Sequence, residues 1–411
     1  MKKLLVLSLA LVLFVGLFSV SALAEKKVLD FIWFTDGIED EVLKEIMEDY
    51  KELNPDIDFN LIEIPANEER QKIKTMIAGG NPPDLARITL PGALEPALLD
   101  LTPYLEEGYL DNFVQASHPY VFLNDRIVAL PVDVTANGII YNKEHFEEAG
   151  INVPHRPSDL DNLWTWEEWA DALEKVITNS NARFGAAMDF TPHRWSTLLY
   201  QAGGSFLNED GTMAINSEEA KNAVEFFVEL HDRGLMPVSV WLGGENPQTL
   251  FRAGLSAIHF AGNWMLTNYR DNLDFDWGVA YLPKGETRAS VPGGKYIASF
   301  KDAEYADEAA EFIKYFTSRE VNAKFCEESL FLSARVDNSR LNYEFGADLF
   351  EVFSSDLAAT PSIAGYDWAN SEVIMEMYDD ITEVIVQAIQ HEITPEEAVE
   401  TLEAIATELM E

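Results

Sequence analysis

The 411 residues carry 71 acidic against 29 basic side chains, a formal net charge of -42, and 47% of them are hydrophobic. That apolar fraction is ample for packed cores, over a length that suggests two domains of roughly 100–200 residues each. So acidic a surface argues against nucleic acid or an anionic membrane as partner, because its field repels both.

The first residues address the chain. Lys2 and Lys3 form a positive start, Leu4 to Val20 is an apolar run, and Ser21-Ala22-Leu23-Ala24 supplies small residues for cleavage after Ala24. A transmembrane anchor is the rival reading, but no stop-transfer segment follows and no later stretch is apolar enough to span a bilayer. No cysteine lies near the cut, so a lipid anchor is not expected. The mature chain, from residue 25, is expected to be exported and free in a periplasm-like space. Cys326 is the only cysteine, which rules out an intramolecular disulfide and reads as a buried, inert thiol.

Val28 to Phe34 is a continuous apolar run, as in a strand covered on both faces. Thr35-Asp36-Gly37 breaks it, and Val42, Leu43, Ile46, Met47, Tyr50 and Leu53 then recur at helical spacing. Ile57, Phe59 and Leu61 alternate as a second strand, Glu68 to Ala78 is a second helix, and Asp84 to Ile88 reads as a third strand. This βαβαβ order implies a parallel sheet with right-handed crossovers, in which ligands bind beyond the carboxyl ends of the strands. Asp36 satisfies that rule; Asp84, just before its strand, fits it less well.

Arg126 to Pro131 and Gly138 to Tyr141 read as two strands, with the polar stretch Val132 to Asn137 between them and Asp133 within it. Because Pro131 cannot donate to a ladder, pairing is expected to stop there. The stretch is either a crossing between lobes or a plain β-turn-β. Asn142 to Ala149 is a short helix ended by Gly150. After a Pro- and Asn-rich insertion, Asn152 to Asn162, Thr165 and Glu168 form a capping box. An apolar helix runs from Trp195 to Gly204. Ser217 starts an amphipathic helix, strands follow at Ala257 to Phe260 and Asp276 to Leu282, and helices at Ala306 to Phe316 and from Thr394 onward.

Catalytic, cofactor and metal signatures do not emerge. Gly254-Leu255-Ser256-Ala257-Ile258 lacks the closing glycine of a nucleophile elbow, and His391-Glu392 has no second histidine four residues on. Tryptophans are more informative. Trp33, Trp241, Trp264 and Trp368 lie among Gly, Asn and Asp, and Trp195 has polar neighbours. A sugar needs flat aromatic platforms edged by carboxylate, amide and guanidinium groups, and these surroundings supply them. Core packing is the competing reading for each.

Six segments, in order, resemble the carbohydrate-binding receptors of bacterial ABC importers, kin of maltose-binding protein. They are IAGGNPPDLA, LNDRIVALPVDVTANGIIYNKEHFEEAG, WTWEEW, LFRAGLSAIHFAGNW, SVPGGKYIASF and ESLFLSARVDN. The resemblance implies an α/β, two-lobed Venus-flytrap fold with three interlobe crossings. One lobe would hold 25–134 and 294–332, the other 136–291 and 336–411. It implies a monomeric, non-enzymatic receptor that takes a carbohydrate ligand and delivers it to ABC permease subunits. Asp36, Asp84, Asp133, Asn263 and Arg335 would bond hydroxyls, while Trp195, Trp241, Trp264 and Trp368 would stack. Leu255 and His259 depart from the family pattern, at positions not expected to touch ligand. A secreted carbohydrate-active enzyme and a receptor for a cation such as a polyamine are the alternatives.

The acids are spread along the whole chain, which suits a salty medium where the Debye length shrinks to about 3 Å at 1 M. We therefore expect the melting temperature to rise from dilute buffer to molar salt. A flat or falling response would contradict a saline habitat.

Overall fold

A computed structural model describes residues 26–410 except 36, 209, 339, 340 and 371. The expected leader and Asp36 lie outside the described residues. The chain begins with β1 (Lys27–Trp33), the helix Glu39–Leu53, β2 (Ile57–Glu63), the helix Glu69–Ala78 and β3 (Leu85–Ile88). β1 pairs in parallel with both others, giving the order β2-β1-β3. Phe31 and Trp33 point into one core, where Phe312 and Phe316 of the helix Ala306–Phe316 meet them edge-on at 5.9 and 6.3 Å. A small hairpin follows, β4 (Phe122–Leu123) and β5 (Arg126–Ile127). Its turn residues Asn124 and Asp125 have φ of 50° and 59°, a left-handed region these side chains tolerate.

Six further strands are β6 (Leu130–Asn142), β7 (Phe184–Met188), β8 (Ser256–Gly262), β9 (Trp277–Ala280), β10 (Pro292–Ala298) and β11 (Leu332–Ser333). β6 is shared by two sheets. Up to Ala136 it pairs antiparallel with β10, and at Asp133 and Val134 with β11. From Asn137 it pairs with β8, and from Ile139 with β9, while β7 runs parallel to β8. The two short strands expected around a polar crossing are thus one buried strand of 13 residues. Pro131 does not end it, because the register against β10 shifts between Lys295 and Tyr296. Bulges are where a strand accommodates proline. Val132, the residue skipped, has its carbonyl satisfied by Asn322 Nδ2 at 2.6 Å.

All three crossings lie side by side. Pro292, Gly293 and Gly294 sit opposite Ala136, Thr135 and Val134, and Ser333 sits opposite Asp133. The glycine pair is required by close approach: a Cβ on Gly294 would fall 2.6 Å from the Asp133 carbonyl oxygen, and one on Gly293 2.7 Å from Thr135 Oγ1.

Around the second sheet, the helix Trp166–Asn179 carries the capping box: Glu168 N donates to Thr165 Oγ1 at 3.2 Å, and Thr165 N to Glu168 Oε2 at 2.9 Å. Ser217 caps the helix Glu218–Asp232. The helix Ala347–Ala359 packs on β6, with the buried ring of Phe353 over Gly138. A Cβ on Gly138 would lie 2.4 Å from that ring. Gly138→Ala should therefore cost about 1–3 kcal/mol through overpacking, read as a lower urea midpoint. A wild-type midpoint would show that Phe353 can move aside.

Candidate functional site

The carboxyl end of the first sheet presents a buried charge cluster. Arg87, at the core of β3, is fully buried between the rings of Trp33 and Phe34, 4.6 and 4.5 Å from their centroids. Its Nη1 donates to the Phe34 carbonyl at 2.5 Å and to Glu39 Oε1 at 2.8 Å. Glu39 Oε2 in turn accepts from Gly37 N at 2.8 Å. Asp133 is flanked by two cations, Arg87 Nη2 at 3.6 Å and Lys295 Nζ at 3.7 Å. Lys295 also lies 4.7 Å over the Phe331 ring. Four groups of alternating formal charge share a dry site, and removing one would leave its partner uncompensated. Beside them Glu69 is buried at the start of its helix, and burial raises its carboxyl to about 7 despite a 3.3 Å bond from Thr89 Oγ1.

The facing wall comes from one tight turn after β7. Thr191 N donates to the Asp189 carbonyl at 2.8 Å, and Thr191 Oγ1 caps the helix Pro192–Gln201 through Arg194 N. Asp189, Phe190, His193 and Arg194 all project from this turn. Asp189 Oδ1 accepts from His259 Nε2 at 2.9 Å, and His259 Nδ1 meets the Tyr269 hydroxyl at 2.5 Å. Arg194 Nη1 donates to His193 Nδ1 at 2.7 Å, and its guanidinium lies 4.3 Å over the Trp264 ring. Burial and the neighbouring Arg194 charge hold His193 well below the usual imidazole range, so it is neutral at pH 7. Nearer the crossings, Asn137 Nδ2 donates to Thr197 Oγ1 at 3.1 Å, and Ala136 N donates to Asn263 Oδ1 at 2.9 Å. Asn137 Oδ1 and Asn263 Nδ2 are buried and have no hydrogen-bond partner among the described residues. An unmet acceptor and an unmet donor thus flank one rung of the ladder, where Asn137 pairs with Gly262.

The two walls touch. A Cβ on Gly37 would lie 3.4 Å from Thr267 Cβ, and one on Gly92 3.1 Å from the Ala369 carbonyl oxygen. The described residues also bound cavities away from these two walls, two of them against the crossings. One of about 620 Å³ is bounded by Val134, Ser333, Tyr343 and Phe350, and one of about 680 Å³ by His118, Phe122, Pro292 and Tyr366. The third, of about 460 Å³, is acidic and surrounds Asp84.

Several residues expected at the site are placed otherwise. Asp84 is at the strand-start edge, where its carboxylate accepts from Asp30 N and Tyr305 N, both at 2.8 Å; it is a backbone clamp. Arg335 is fully engaged, with Nε and Nη2 on Asp337 at 2.8 and 3.0 Å and Nη1 on the Thr317 carbonyl at 2.9 Å. Trp195 is buried in the core against Phe206, and Trp241 is buried under Phe190 and Phe227. Trp368 is also buried, its Nε1 bonded to Ser196 Oγ at 3.1 Å and its ring 4.9 Å from His193. Asp133 is at the crossing but inside the charge cluster rather than exposed. Asn263 and Trp264 are brought together with Arg194. Sequence reading missed Glu39, Glu69, Arg87, Phe190, His193, Arg194 and Lys295. The signal that could have found Arg87 and Lys295 is a cation inside an otherwise apolar strand.

A model of the bacterial extracellular solute-binding protein family matches residues 35–323. Similar proteins include a lactose-binding protein of Rhizobium radiobacter, 24% identical over 68% of this chain and 68% of its own length. An arabinooligosaccharide-binding protein of Halalkalibacterium halodurans is 24% identical over 80% of this chain and 77% of its own. An ABC substrate-binding protein from Listeria monocytogenes in complex with cycloalternan superposes with a TM-score of 0.81 at 23% identity, covering 94% and 99% of the two chains. Maltose-bound MalE3 of T. maritima gives 0.76 at 23% identity, covering 93% and 99%. At these identities the structural likeness establishes the two-lobed fold. The chain belongs to the bacterial extracellular solute-binding protein family.

Proposed function

We propose that this chain is an exported receptor that captures a mono- or oligosaccharide between its lobes and presents it to an ABC-type permease. The observation that carries the reading is the cleft itself. Two α/β lobes meet across three adjacent crossings, and the facing walls offer aromatic planes beside fixed amide, carboxylate and guanidinium groups. Such a mixture suits a ring with an apolar face and a hydroxyl rim. The relatives named for lactose and arabinooligosaccharide binding support the same class. Asp133, Asn263 and Trp264 remain in the proposed site, joined by Asn137 and Arg194; Asp36, outside the described residues, is proposed from the sequence alone. Closure is a rigid-body rotation of the lobes about the crossings.

A cationic ligand fits less well, since the acids nearest the crossings, Asp133 and Asp189, are already paired with Arg87, Lys295 and Arg194. A glycosidase would use two carboxyl groups across the scissile bond. Asp133 and Asp189, however, are both held by basic side chains.

The test is a thermal-shift and tryptophan-fluorescence panel of maltotriose, lactose, arabinotriose, mannitol and spermidine. At least one saccharide should raise the melting temperature, since a ligand at ~100 times its Kd stabilises by about 2.7 kcal/mol. A response to spermidine alone would overturn the sugar reading.

A further inference from the structure

Resting on the sugar reading, we infer that the aromatic platform of the second lobe is Phe190, with Arg194 as its polar edge, and that Trp264 is a positioning residue beneath Arg194. Three observations converge on this. First, Trp264 is half-buried and carries a cation on its ring. The Arg194 guanidinium lies 4.3 Å from its ring centroid, and its benzo ring is so close to Gly262 that a Cβ there would fall 1.8 Å away. A sugar could stack on the face Arg194 covers only by expelling a cation that is also held by His193 at 2.7 Å and lies 3.6 Å from Asp189.

Second, Phe190 is 40% exposed, whereas Trp195, Trp241 and Trp368 are at most 2% exposed. It follows β7 at the end of the sheet nearest the crossings, since Met188 pairs with Phe260 and Phe260 is two residues from Gly262. Its ring is buttressed edge-on by Trp241, with centroids 5.4 Å apart and planes at 86°. A supported, exposed phenyl ring offers the flat apolar face that the C–H side of a pyranose or furanose needs. Third, Arg194 is four residues along the same turn. Its Nη1 is committed to His193, while Nη2 has no hydrogen-bond partner among the described residues. A donor carried on the same turn as an exposed aromatic ring suits a sugar ring and its hydroxyl oxygens. Trp241, expected to stack on ligand, instead acts through Phe190.

The experiment uses the full mature chain and whichever of maltotriose, lactose or arabinotriose binds wild type in the panel. By titration calorimetry, Phe190→Ala should weaken binding at least tenfold and Phe190→Trp should restore it. Arg194→Lys should weaken it at least tenfold, and Trp264→Phe by no more than Arg194→Lys does. In a separate arm, Phe190→Cys is labelled with iodoacetamide; native Cys326 is fully buried, so the introduced thiol dominates the signal. The same saccharide should slow labelling at least tenfold. Wild-type affinity in Phe190→Ala, or unprotected labelling of residue 190, would overturn the inference and place Phe190 outside the cleft. A Trp264→Phe loss larger than that of Arg194→Lys would return the stacking role to Trp264. Failure of the sugar reading is distinct: no saccharide then binds wild type, and the inference falls with it.

Discussion

One strand ties the two lobes together. β6 is hydrogen-bonded to one sheet up to Ala136 and to the other from Asn137, so the sheets cannot separate without breaking a ladder. β10 then lies along Leu130 to Ala136 of that strand and β11 against Asp133 and Val134, and the glycines at 293 and 294 let the backbones close to contact distance. A hinge of three adjacent strands resists shear and splay while permitting rotation about their common line. That constraint decides which side chains can meet across the cleft.

Electrostatics divides sharply between surface and cleft. The exterior is acidic along its whole length and gains nothing from isolated ion pairs, which are worth little in water. Inside, Glu39, Arg87, Asp133 and Lys295 alternate in sign within an apolar shell of Trp33, Phe34 and Phe331. The desolvation of such groups is offset only by each other, so the cluster fixes the carboxyl end of the first sheet more than it adds stability. Across the cleft, Asp189 plays a similar part, taking His259 and Arg194 together. The groups proposed to meet the ligand are thus pre-positioned, although the surface as a whole repels anions.

Periodicity, caps and breakers made the elements legible. The βαβαβ opening, the Thr165 box and the strand expected at 257–260, observed as Ser256–Gly262, all follow from local residue patterns that burial then respects. Pro131 misled, since local rules end pairing at proline and cannot foresee a bulge opposite Lys295 and Tyr296. The site was less legible for a related reason. Tryptophans near Gly and Asn suggested platforms, yet Trp195, Trp241 and Trp368 are large apolar groups that the core absorbs whenever topology offers room. Arg335 looked available because its acid partner, Asp337, is two residues away and only the bent chain brings them into a two-bond pair. Arg87 and Phe190 carry no motif; their roles exist only once strands from distant segments align.

The central claim is that the lobes rotate about these crossings and close on a saccharide. Small-angle X-ray scattering of the mature chain, with and without the saccharide that raises its melting temperature, tests this most directly. The account predicts a smaller radius of gyration in the bound form and a bound curve that matches the closed arrangement, with Gly37 against Thr267. Scattering curves that stay superimposable at saturating sugar would contradict it.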